Sequence, residues 1–215
     1  MRPIILFITL ISTILFYSCE PAATFDKPQP DNVSQLTIFP ERLQGKYLSM
    51  DQASVLTISD KLITRLYDFD FKEHKDSLGS SYIISGDTLI NVDDGTKEKI
   101  SLKGDTVFQH INGTDTLFAI STDNILKKFK GYYFLSTRYS DNAWEVKKIS
   151  LQNGRLTIGS FSNDYDVQKL KEIKETDIDT IPIPLTFTRK QFKKFVKEGG
   201  FTDEETFTLM GKNGR

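Results

Sequence analysis

The sequence predicts a mainly β protein: two related antiparallel meander units, sandwich-like or barrel-like, with one short C-terminal α-helix. Three observations lead there. Short runs of β-branched and aromatic residues alternate with glycine, asparagine and aspartate pairs; a Gly-x-Tyr strand opening occurs twice; and a helix-capping signature stands near the C-terminus.

Residues 1–18 read as a secretory signal peptide. Arg2 supplies the positive start, and Pro3 to Tyr17 is apolar apart from Thr9, Ser12 and Thr13. The run is short of the about 20 apolar residues that span a bilayer. Ordinary signal peptidase fits poorly, because a cut before Cys19 sets bulky Phe16 where a small residue belongs, and a cut after Ala22 or Ala23 sets Glu20 or Pro21 there. Leu15-Phe16-Tyr17-Ser18-Cys19 instead resembles a bacterial lipobox, in the looser form of Bacteroidota lipoproteins. Ser18 and Cys19 fit that pattern, whereas Phe16 and Tyr17 are larger than its usual residues. The resemblance implies that Cys19 is lipidated and tethers the protein to the membrane of a bacterial cell envelope, at the outer membrane. A diacylglycerol thioether plus an amide-linked acyl chain holds a protein far more firmly than a single chain. The same modification removes a free thiol from an oxidising compartment.

Residues 19–40 follow as the lipidated cysteine and a proline-rich tether containing Pro21, Pro28, Pro30 and Pro40. Such a segment extends by about 3.1 Å per residue. The competing reading packs its end as an edge strand through Leu36, Ile38 and Phe39.

Residues 41–126 form the first predicted β unit. Its strands run over Gly45 to Met50, Ser54 to Ile58, Leu62 to Phe71, Tyr82 to Ile84, Thr88 to Val92, Lys99 to Leu102, Thr106 to Ile111 and Thr116 to Ile120. Turns fall at Ser59-Asp60, Gly86-Asp87, Asp93-Asp94-Gly95, Gly104-Asp105 and Asn112-Gly113, where Gly and Asn tolerate positive φ. Residues 127–215 form the second unit, in which Gly131-Tyr132-Tyr133-Phe134 echoes Gly45-Lys46-Tyr47-Leu48 and Asn153-Gly154 turns the following hairpin. Chance similarity of hairpin composition is the alternative to a true repeat. Ile181-Pro182-Ile183-Pro184 must be extended. Beyond it, Thr188 and Gln191 make a capping box for a helix over 188–199 whose apolar stripe is Phe192, Phe195 and Val196, ended by Gly199.

Composition narrows the function. The 28 basic and 29 acidic residues leave a formal charge of −1, so there is no net positive field for nucleic acid. One cysteine makes neither an internal disulfide nor a multi-thiolate zinc site. His74 lies in a polar run and His110 near a strand end, and neither stands in a metal-ligand spacing. Asn91-Val92-Asp93-Asp94-Gly95 misses the alternation of a calcium loop and reads as a turn. The carboxylate pairs Asp164 with Asp166 and Asp177 with Asp179 carry no flanking signature. No metal, cofactor or catalytic residue is therefore assigned.

The aromatic residues remain. Tyr47, Tyr133, Tyr139 and Trp144 are the candidates for lining a ligand cleft, with core packing as the competing role. The Gly-x-Tyr openings resemble, faintly, the Gly-x-Trp opening of lipocalin-like barrels, which implies a small apolar ligand. The leading expectation is a membrane-anchored, non-enzymatic envelope lipoprotein that binds or helps assemble an envelope protein partner. A lipocalin-like carrier is the alternative, and a carboxylate-based envelope hydrolase the second alternative.

Overall fold

The computed structural model describes residues 21–50, 53–162, 165–173 and 182–211. The leader, the lipobox-like stretch and Cys19 lie outside them, as do Asp164, Asp177 and Asp179. In chain order the strands are β1 (Ala23–Phe25), β2 (Gln35–Leu36), β3 (Gly45–Ser49), β4 (Ser54–Ile58), β5 (Leu62–His74), β6 (Tyr82–Ser85), β7 (Thr88–Asn91) and β8 (Lys97–Lys99). They continue as β9 (Ser101–Lys103), β10 (Thr106–Ala119), β11 (Asn124–Phe129), β12 (Tyr132–Ser140), β13 (Ala143–Gln152), β14 (Arg155–Ser160), β15 (Ile183–Leu185) and β16 (Asp203–Leu209). Helices α1 (Tyr165–Ile173) and α2 (Arg189–Lys197) complete the set. The chain is mainly β and its pairing mainly antiparallel, as predicted. The strand path does not close on itself, so the barrel implied by the lipocalin resemblance is not formed. No helix among the described residues is long and apolar enough to cross a membrane.

The chain divides into two compact units that are not sequential: one holds residues 1–35, 122–149 and 158–204, the other 36–121, 150–157 and 205–215. The units interleave along the chain because strand pairing joins distant segments. Strand β16 pairs with β3, with Phe207 opposite Ser49 and Leu209 opposite Tyr47. Strand β1 pairs with β13 through Phe25 and Trp144, and runs parallel to β15 with Ala23 opposite Ile183. The stretch expected as a tether is therefore largely packed: Ala23 and Phe25 are buried in the first unit, and Phe39 in the second. Its alternating apolar residues find partners that lie far along the chain.

In the first unit, β11, β12 and β13 form an antiparallel run with Phe129 opposite Tyr132 and Tyr133 opposite Ile149. Helix α2 lies over a core built largely of phenylalanine. Thr188 Oγ1 accepts from Gln191 N at 3.3 Å and Gln191 Oε1 accepts from Thr188 N at 3.0 Å, the capping box expected from the sequence. Phe192, Phe195 and Val196 are all buried against Phe25, Phe134, Phe187 and Phe201. The rings meet mostly edge-on, Phe134 and Phe192 at 4.9 Å and Phe195 and Phe201 at 5.3 Å. Helix α1 was not expected; it buries Leu170 in the same core and sets Val167 and Ile173 against it.

The second unit carries the meander β3-β4-β5 and a long ladder between β5 and β10. Here one turn expectation is corrected. Asn112 and Gly113 sit inside β10, opposite Asp68 and Tyr67, and Gly113 has no positive φ. The continuous partner offered by β5 overrides the local turn tendency. Gly86, Gly95 and Gly104 do occupy positive φ. The small sheet β6-β7-β8 covers a minor core of Leu89, Ile100 and Val107.

Candidate functional site

The four candidate aromatics separate by burial. Tyr47 is fully buried in the second unit, where its hydroxyl donates to Leu43 O at 2.8 Å. Tyr133 is buried in the first unit, and Tyr139 is exposed. Trp144, 5% exposed, lines a cleft of about 420 Å³ in the first unit together with Pro28, Val33, Ile125, Lys127 and Arg138. The other three candidates do not line it.

Lys127 is the residue that sequence reasoning missed. On β11 the neighbouring Leu126 is buried in one direction and Lys127 in the other, leaving the lysine 9% exposed. Its Nζ donates to Pro28 O at 2.8 Å and to Pro30 O at 2.9 Å. Burial pulls the ammonium pKa below the ordinary lysine value; Asp31 opposes that shift and Lys27 adds to it. Asp31 is itself held by Lys27 at 3.1 Å. Gln29, between the two prolines, is fully buried, and its N–H donates to Ser136 Oγ at 3.2 Å. Arg138 also lines the cleft. Its guanidinium lies over Trp144 at 4.4 Å, its Nε donates to Asp123 at 2.6 Å, and Nη1 donates to Asp141 O at 3.1 Å.

A second cavity of about 330 Å³ lies in the second unit, lined by Phe71, Leu78, Tyr82 and Leu89 with Glu73 and Glu98. Both carboxylates already accept from protein groups, Glu73 from His74 N at 3.2 Å and Glu98 from the Gln109 amide. His110 stands on an exposed face between Asp68 at 3.5 Å and Asp70 at 3.0 Å. His74 Nδ1 accepts from Asp76 N at 3.3 Å. Among the described residues no group of three or more His, Cys, Asp or Glu side chains is placed to hold a metal ion.

Asp166 is a structural carboxylate. It is fully buried at the start of α1; Oδ1 accepts from Phe201 N at 3.1 Å, and Oδ2 accepts from Ser162 N at 2.8 Å and Thr202 N at 3.0 Å. Its oxygens tie the start of α1 both to the segment before it and to the segment after α2. Asn91 and Asp94 are likewise turn residues: their side-chain oxygens accept from Asp93 N at 2.9 Å and Thr96 N at 2.8 Å. The Thr96 hydrogen bonds hold the Asp94 carboxyl below its ordinary pKa.

Comparison of the chain with protein-family models, with curated proteins and with solved structures finds no match.

Proposed function

We propose that the chain is a bacterial envelope lipoprotein, anchored through lipid on Cys19, that acts as a non-enzymatic binding module with the Trp144 cleft as its recognition site. The observation that carries the binding part is the cleft itself, which gathers an aromatic ring, two cationic side chains and the apolar Pro28, Val33 and Ile125 in one concave surface. The anchor rests on Ser18-Cys19 after an apolar leader.

Labelled palmitate tests the anchor. Incorporation into the native chain and none into Cys19→Ser is expected, with the variant released from membranes; incorporation that survives Cys19→Ser overturns it. Native mass spectrometry of chain isolated from envelope membranes tests the site. Thr122 also lines the cleft, so an adduct lost on Thr122→Trp, which puts an indole into that space, is expected, whereas an adduct unaffected by that change places recognition elsewhere.

The second reading, a carrier of a small apolar ligand, draws on the cavity lined by Phe71, Leu78, Tyr82 and Leu89. An adduct that survives Thr122→Trp but is lost on Leu89→Trp would favour it.

A further inference from the structure

Most buried ammonium groups in proteins are matched by a carboxylate, because an isolated charge is costly away from water. Lys127 departs from that rule. Among the described residues no carboxylate lies within ion-pair distance of its Nζ; two backbone carbonyls take two of its three N–H bonds. Asp31 acts on it only at longer range and is engaged by Lys27. The second cation of the cleft, Arg138, is already matched by Asp123. The cleft therefore holds one more fixed positive charge than its immediate negative partners, next to the apolar surface of Val33 and Ile125.

We infer that the Trp144 cleft binds a small organic anion, whose oxyanion group takes the remaining N–H of Lys127 and whose apolar body lies against Val33 and Ile125. This rests on the cleft being the recognition site. A carboxylate or a phosphate ester supplies the required group, since either offers oxygen acceptors that a charged donor binds more strongly than a neutral one. Arg138 stays stacked on Trp144 and tied to Asp123.

Trp144 is the sole tryptophan of the chain, so its emission reports the cleft directly. The full chain is titrated with butanoate, butyl phosphate, butanol and butylamine, four probes with one apolar body and different heads. Saturable binding of at least one anion, about tenfold tighter than butanol and with no response to butylamine, is expected; the better anion identifies the head group. Loss of anion binding in Lys127→Met, with Arg138→Lys weaker but still selective, supports the assignment. If Lys127→Met does not fold, the native chain still decides. Affinity for the anion should drop several-fold between about 50 and 500 mM salt and again as alkaline pH neutralises Lys127, whose charged neighbours are Asp31, Lys27, Asp123 and Arg138. Equal binding of all four probes overturns the oxyanion assignment and leaves a binding cleft. Absence of any response overturns both.

Discussion

The Arg138 guanidinium lies over the Trp144 indole, 4.4 Å from the ring centroid, while its Nε donates to Asp123 at 2.6 Å. The cation stacks on a ring that lines the cleft, and the carboxylate fixes the cation in that position. Arg138→Ala should therefore shift the emission of the sole tryptophan to longer wavelength and cost about 0.5–1 kcal/mol in urea unfolding. Asp123→Asn should produce a smaller spectral shift of the same sign. An unchanged spectrum in Arg138→Ala would mean that the guanidinium does not cover the ring in solution.

Asp166 joins three backbone N–H groups from two segments around one buried carboxylate. Asp166→Ala leaves those donors without their acceptor, and a loss on the order of 3 kcal/mol follows from orphaning buried groups that had bonded to a charge. Asp166→Asn keeps the shape but turns one end of the side chain into a donor facing N–H groups, so it should also destabilise rather than rescue. Chemical denaturation of both variants checks this. A near-native midpoint for Asp166→Asn would show that charge and acceptor count do not matter there.

Gly200 faces Phe195 so closely that an added Cβ would meet the ring at 2.5 Å. Gly200→Ala should cost about 1–3 kcal/mol, the usual range for overpacking. Phe195→Leu removes the offending ring edge, so the double variant should lose less than the two single losses combined. Simple additivity would place the clash outside this pair.

How legible these features are in the sequence depends on how local their causes are. The capping box of Thr188 and Gln191 and the turn at Asn153-Gly154, both at positive φ, depend on neighbours in the chain and are read directly. The same logic misplaces Asn112-Gly113, because thirteen residues of β5 offer a partner strand that sequence inspection does not reveal. Burial of Ala23 to Phe25 depends on the parallel partner Ile183–Leu185, equally hidden. Helix α1 did carry a signal, since Val167, Leu170 and Ile173 recur at helical spacing in a charged segment. In the cleft, Trp144 stands out as an aromatic, but Lys127 does not. A lysine beside Lys128 on a strand reads as solvent-facing until the carbonyls of Pro28 and Pro30 are seen around it.

Lys127 also carries a pH dependence with a definite sign. Burial lowers its pKa in the folded chain, Asp31 partly offsets the shift and Lys27 adds to it. In the unfolded chain lysine titrates at about 10.4, so between the lowered folded value and that point the unfolded state binds more protons. Folding stability from this group must then rise with pH across that interval, and be flat below it. Lys127→Met removes the contribution while leaving every other lysine in place. The unfolding free energy of the native chain minus that of Lys127→Met should therefore climb as alkaline pH approaches the unfolded lysine value of about 10.4. A difference that stays flat would mean that the folded chain hydrates the ammonium as well as the unfolded one does. In that case the two proline carbonyls and solvent, rather than desolvation, set its protonation.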